Sequence, residues 1–260
     1  MGDDDLVMRS ERGAVATLTL NRPATRNALS LDLLGALDRR LSEVDSDPRI
    51  RVVVLAGNGP AFSAGHDLSE LSTASPDLAR EIFTTCSAVM LRISNFSRPV
   101  IAKVGGVATA AGCQMVASCD LAVAATSARF ATPGVNIGLF CSTPAVPLAR
   151  TIAPKHAMEM LLTGELYGAD DAFRMGLVNR VVPDEDLDSE VDSLAAVVAS
   201  KPPGVVAAGR SALRRQMSLP LDEAYGLASD AMCEGLAGQD AGEGIAAFLE
   251  KRTPNWSASQ

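Results

Sequence analysis

The chain lacks an excess of basic charge. Its 23 Lys and Arg stand against 31 Asp and Glu, for a net charge of −8 and an isoelectric point near 4.8. That balance excludes a nucleic-acid or anionic-membrane surface as the main partner. No run of eighteen apolar residues occurs, so no transmembrane helix is expected. The five cysteines (86, 113, 119, 141 and 233) are odd in number and contain no Cys-x-x-Cys pair. They read as reduced thiols, with no zinc or other metal site. The start, Met1-Gly2-Asp3-Asp4-Asp5, is neither a signal peptide nor an Arg-rich transit peptide, so a cytoplasmic protein is expected. What is present in quantity is apolar material: 47% of 260 residues, enough for one substantial core.

Two stretches organise the chain. Ala61-Phe62-Ser63-Ala64-Gly65-His66-Asp67-Leu68 follows the β-branched run Val52-Val53-Val54-Leu55 and the turn Gly57-Asn58-Gly59-Pro60. It opens a helix, with Asp67 as N-cap and Glu70 three residues on. Gly105-Gly106-Val107-Ala108-Thr109-Ala110-Ala111-Gly112-Cys113-Gln114 has the same character after the strand Val100–Val104. Backbone N–H groups at a strand-to-helix bend have no intrahelical partner and point above the strand's end. Two such bends supply what an oxyanion site needs; singly, each is an ordinary turn. The glycines at 57 and 59 also begin a dinucleotide fingerprint, but that pattern needs a third glycine where this chain has Phe62.

Along the chain, Val15–Leu20 reads as a strand, and Ser30 caps a helix from Leu31 to about Val44 with Leu33, Leu34, Leu37 and Leu41 on one face. Residues 69–75 read as a mobile loop over the site. A helix from Asp77 carries Ile82, Phe83, Cys86, Val89, Met90 and Ile93 at helical spacing and ends before Arg98-Pro99. A helix near Ala111–Ala117, strands at 120–124 and 129–130, and a loop over 137–142 follow. Thr143 is expected to cap the next helix, and short helices are expected at 155–162 and 169–175, then a strand at 178–182. From Asp184 the pattern is helical to the end, so a boundary is placed at Val182-Pro183-Asp184. Periodicity alone supports α/β followed by α.

The ordered set of these segments resembles the crotonase (enoyl-CoA hydratase/isomerase) superfamily. The resemblance takes in Asn21-Arg22-Pro23, Arg26-Asn27-Ala28-Leu29, both bends, Ser118-Cys119-Asp120-Leu121-Ala122 and Phe130-Ala131-Thr132-Pro133. It continues through Thr163-Gly164, Gly176-Leu177-Val178 and Glu250-Lys251-Arg252, so it covers nearly the whole chain. Within the superfamily the bends and the segment from Phe130 to Asn136 resemble the mitochondrial enoyl-CoA hydratase domain-containing branch and its bacterial relatives. The resemblance implies a spiral of ββα units over residues 1–182, holding an acyl-CoA site. It also implies a helical region over 183–260 that packs subunits into a homotrimer or a hexamer of two trimers. No cofactor is implied beyond the coenzyme A thioester as substrate.

Residue by residue, the resemblance sets the two oxyanion donors on the backbone N–H groups of His66 and Ala111. Each such donor is typically worth ~3–4 kcal/mol in the transition state. Ala64, His66, Asp67, Leu68 and Ala111 line the substrate track. Arg26 meets the adenine-phosphate end, with Arg22 beside it, and Phe248 and Lys251 reach the site of an adjacent subunit. The two glutamates that activate water and protonate the α-carbon fall on Gln114 and Gly134, which carry no carboxylate. General acid–base catalysis worth a factor of ~10²–10⁴ is thereby missing. Replacement chemistry would come from Cys141 or Ser142, although a buried small thiol beside a helix start is the plainer reading. The His66 side chain is an acid, base or coenzyme A contact on one reading and a packed ring on the other. His156 reads as solvated. Glu70 faces the acyl tail on one reading, with the least support. The name the resemblance attaches is enoyl-CoA hydratase of fatty-acid metabolism. The alternatives are a non-catalytic acyl-CoA binder, or another crotonase reaction such as isomerisation, decarboxylation or thioester hydrolysis.

Overall fold

Runs of Val, Ile, Leu and Ala buried on both faces make the central strands, and the computed structural model describes them within residues 6–256. The acidic start and residues 257–260 lie outside the described residues. In the main sheet, β1 (Val7–Arg12) and β2 (Val15–Leu20) form an antiparallel hairpin. Next to β2, in parallel order, lie β3 (Val52–Gly57), β5 (Val100–Val104), β7 (Leu121–Ala125) and β10 (Arg180–Val182). A second sheet runs β4 (Ala61–Ser63), β6 (Val107–Thr109), β8 (Arg129–Ala131) and β9 (Tyr167–Gly168). Consecutive turns of chain therefore place one strand in each sheet and then a helix. The first three such units use α3 (Pro76–Asn95), α4 (Ala111–Ser118) and α5 (Ser142–Thr151).

The period-2 alternation of the main strands divides the core. Val53, Leu55, Val100, Ala102, Ala122 and Ala124 face the larger cluster, which includes α1 (Leu31–Asp45) and α3. Val52, Val54, Ile101 and Val123 face the opposite way, onto Leu187, Val191, Leu194 and Ala195 of α8 (Leu187–Ala199). Two short helices, α6 (Pro154–Thr163) and α7 (Ala169–Met175), flank the second sheet's last strand in sequence. Beyond α8, helices α9 (Pro203–Gln216), α10 (Leu221–Leu236) and α11 (Gln239–Glu250) bury only Ala224 and Ala247 between them.

Several local expectations are corrected. Residues 69–75 are not a loop throughout: α2 (Leu68–Ser72) occupies the first part, and Ser75 caps α3 by accepting from Leu78 N–H at 3.2 Å. Asp67 does cap α2, but Glu70 does not close a box with it. Glu70 instead accepts from Leu31 N–H at 3.2 Å, at the start of α1. Thr143 is not a cap, because α5 already begins at Ser142 after Cys141. The six-residue edge strand β1 and the short strands β4, β6 and β9 were not expected as strands.

Candidate active site

The two bends meet. Gly65 sits at φ +91, and a Cβ there would come within 2.8 Å of Ala110 Cβ and 3.2 Å of Ala111 N, so only glycine permits the approach. Gly112, in the first turn of α4, lies so close to Ser63 that a Cβ would reach its carbonyl oxygen at 2.2 Å. Thr109 Oγ1 donates to Ala64 O at 3.1 Å and ties the bends together. Ala110 holds φ +49 and ψ −117, a conformation that typically costs ~1–3 kcal/mol for a residue with a Cβ and persists only where the surroundings impose it. Its own N–H donates to Ala131 O at 2.9 Å. Among the described residues, neither the His66 nor the Ala111 N–H donates a hydrogen bond. Ala111 starts α4, where the helix dipole adds partial positive charge.

The first bend is clamped by the turn at residues 22–29. Arg26 and Asn27 are both left-handed, at φ 52 and 53. Arg26 O accepts Ala64 N–H at 2.9 Å, and Leu29 N–H donates to Gly65 O at 2.7 Å. Asn27, fully buried, accepts from Arg22 N–H at 2.8 Å and donates to Asn58 O at 3.0 Å and Ala61 O at 2.8 Å. Asn27 therefore positions the bend. The sequence carried it only as part of a resemblance, and adjacent left-handed residues give no periodic signal.

A cavity of about 420 Å³ opens at this junction. Ala64, His66, Leu68, Ala110, Gly134 and Cys141 contribute to its wall, with Leu71, Phe83, Ile137, Leu139 and Phe140 adding apolar surface that the sequence did not assign to the site. Phe83 had been placed on a helix face; only tertiary packing sets its ring edge-on to the His66 imidazole, 5.1 Å between centroids. Burial holds the His66 pKa down at about 4, so the ring is neutral at pH 7, and its Nε2 is buried without a partner. Asp67 is drawn below the usual carboxylate range by hydrogen bonds from Ser69, against burial, and with help from Arg22 at 3.2 Å. It is an ionised cap, not an acid.

Gln114 is buried in α4 and its Oε1 has no partner, but it is not part of the cavity wall. Thr132 Oγ1, just before Pro133, is likewise buried and unpaired. Gly134 is on the wall, yet a Cβ at that position would fall 2.0 Å from Leu139 O and 2.8 Å from Cys141 Sγ. Cys141 Sγ accepts the Gly134 N–H at 3.3 Å, and burial raises its pKa against that hydrogen bond. Ser142 lines the cavity but is exposed, its hydroxyl donating to Phe140 O at 3.4 Å. Arg26 is exposed on its turn and off the cavity wall. Phe248 and Lys251, on and just past α11, are exposed and also stay away from it. His156 lies 3.8 Å from Glu159 on α6.

The profile of the enoyl-CoA hydratase/isomerase family matches residues 10–259. The chain belongs to the enoyl-CoA hydratase/isomerase family. Enoyl-CoA hydratase domain-containing protein 3, mitochondrial, of Xenopus laevis is 46% identical over 254 residues, covering 97% of this chain and 86% of that protein. The crotonyl-CoA hydratase of Syntrophomonas wolfei is 35% identical over 260 residues, covering 98% and 99%. An enoyl-CoA hydratase structure from Mycobacterium smegmatis superposes with a TM-score of 0.94 at 47% identity, over 96% of this chain and 98% of that one. The crotonase-type α/β spiral expected from the sequence is the fold. The cytoplasmic expectation is overturned: relatives of the same name in frog, mouse and human are designated mitochondrial. It rested on the reduced-thiol reading of the cysteines and on residues 1–5, which lie outside the described residues.

Proposed function

We propose that this family member binds an acyl-CoA thioester with its carbonyl oxygen between the N–H groups of His66 and Ala111, and that it is not an ordinary enoyl-CoA hydratase. One observation carries the reading. Two bends, interlocked by Gly65 and Ala110, leave the His66 and Ala111 amides unpaired, and one apolar cavity walled by His66 and Ala110 opens at their junction. Donors fixed in place before the reaction stabilise the charge that grows on a thioester oxygen as an enolate forms. No cofactor beyond the thioester itself enters this chemistry.

Hydration needs a carboxylate to take a proton from water and an acid to protonate the α-carbon. Gln114 offers an amide, and position 134 has no room for any side chain while Leu139 O and Cys141 stand where they do. The cavity wall holds no carboxylate at all. These features favour a binder, or an enzyme of different outcome, over a hydratase. Arg26, which makes no ion pair among the described residues, is assigned to the phosphates of coenzyme A. Lys251 and Phe248 are assigned to the same ligand held by a neighbouring copy, in a trimer or hexamer built through α9–α11.

Calorimetry with butyryl-CoA tests the reading. Saturable binding that is weakened about tenfold by Arg26→Glu is expected, together with no multiple-turnover loss of the enone absorbance of crotonyl-CoA in roughly neutral buffer. Absence of saturable binding overturns it, and rapid hydration overturns the second half.

A further inference from the structure

Sulfur is an odd choice for Cys141 if its only task is to receive a buried N–H. A thiol is a weak acceptor, and a serine hydroxyl would satisfy the Gly134 N–H better at the same place. What sulfur adds is a soft nucleophile. Its Sγ sits within 2.8 Å of where a side chain at 134 would begin, so in this chain a thiol stands where the family resemblance sets a carboxylate-bearing residue. The Gly134 N–H aimed at Sγ favours the thiolate. The same cavity is walled by His66, which carries one unpaired amide, and by Ala110, the residue before the other.

We propose that Cys141 captures α,β-unsaturated acyl thioesters by conjugate addition. This rests on the acyl-CoA reading of the same cavity. Cys141 Sγ forms a bond to the β-carbon, and the π pair of the C=C bond moves through the α-carbon onto the thioester oxygen. That oxygen is held by the His66 and Ala111 N–H groups. The thiol proton passes to water, and a proton from water closes on the α-carbon as the enolate collapses. The sum is addition of S–H across the double bond. The coenzyme A thioester stays intact, and no oxidant or reductant takes part. The oxyanion pair thus acts on the C=C bond through conjugation, and a saturated thioester, with no such bond to accept the sulfur, binds without reacting.

The ionisable groups around the sulfur leave it as the reactive one. Cys113 of α4, the thiol whose charge couples to Cys141, is buried and pushed up to about 12, and the His66 ring is neutral. Burial keeps Cys141 itself mostly protonated near pH 7, so capture is slow there and accelerates as the thiolate fraction grows, roughly tenfold per pH unit.

The test is intact-mass spectrometry of the full chain incubated with crotonyl-CoA, with peptide mapping. One adduct carrying the whole thioester is expected on Cys141. It is expected to be lost in Cys141→Ala and Cys141→Ser, kept in Cys113→Ser and Cys233→Ser, and absent with butyryl-CoA. Circular dichroism checks that the Cys141 variants fold, and the wild-type pH profile gives a readout that needs no variant. Saturable butyryl-CoA binding with no crotonyl-CoA adduct overturns the capture and leaves the binding reading standing. An adduct of the acyl group alone, with free coenzyme A thiol released, overturns it in favour of attack on the carbonyl. An adduct confined to exposed Cys233 marks adventitious alkylation and overturns it too. If neither thioester binds, both proposals fall together.

Discussion

His66 carries a cost that can be read in solution. Its imidazole is buried against Phe83 with Nε2 unpaired, and burial lowers its pKa from 6.5 to about 4. Between these values the unfolded chain binds a proton that the folded chain refuses. The unfolded state therefore holds more protons, and stability rises with pH through this window. Conversely, as pH falls from about 6.5 toward 4 the native state should lose about 3 kcal/mol on account of this one ring. Urea unfolding at a series of pH values measures it. His66→Gln should flatten that segment of the curve; an unchanged slope would mean the ring is not buried neutral. The same substitution leaves the residue-66 N–H in place, so butyryl-CoA binding near pH 7 should survive. His66 stands out in the sequence as one of two histidines, but its environment does not, because Phe83 approaches it from a helix seventeen positions on.

At the scale of elements, legibility followed length and burial. The main-sheet strands β3, β5 and β7 were readable as short, mostly apolar runs buried on nearly every residue, and β2 by the alternation of Val, Leu and Thr with every second residue buried. Of the second sheet only β8 was readable, at residues 129–130, because β4 and β6 have three residues each and β9 two, too few to show alternation. Both bends were legible as glycine-rich strand-to-helix turns. Their mutual contact was not, since it depends on the unseen second sheet, where β4 pairs with β6. One joint between elements was also invisible. Asp120, just before β7, accepts from Val100 N–H at 2.8 Å and pairs with Arg210 and Arg214 of α9, each at 2.6 Å. Arg210 also donates to Phe96 O at 2.6 Å. A single carboxylate thus fastens α9 to the spiral. Asp120→Asn keeps an acceptor for Val100 but leaves two half-buried guanidinium groups facing each other. A loss of about 2–3 kcal/mol is expected, with faster hydrogen exchange in α9 than in the main sheet. Uniform protection across both would count against the joint.

For the whole molecule, the arm formed by α9–α11 is the feature that a single chain leaves unexplained. Tyr225, Met232, Leu236, Phe248 and Leu249 are all exposed there, Phe248 by 82%. Only two of the arm helices' residues are buried. Scattered apolar residues on a surface need no account, but a whole helical layer with so little of its own core does. The spiral of residues up to 199 has two buried clusters, neither of which includes a residue of the arm. Arg210 and Arg214 tie the arm to the spiral at Asp120 and Phe96 O, and its exposed apolar residues are left to cover another copy. A second copy fits the exposed aliphatic and aromatic residues of the arm better than a charged partner does. Light scattering should therefore give a mass that is a multiple of 27.0 kDa, three- or sixfold on the resemblance. The double variant Tyr225→Asp, Met232→Asp should shift it toward one chain, with a melting temperature that no longer depends on protein concentration. If Lys251 serves a neighbour's coenzyme A, the dissociated variant should also bind butyryl-CoA more weakly, and adding Lys251→Glu to it should change nothing further. In the assembled wild type, Lys251→Glu should cost affinity on its own. A monomeric wild type would remove the arm's role and the shared site with it, while leaving the His66 and Ala111 amides to be judged by binding alone.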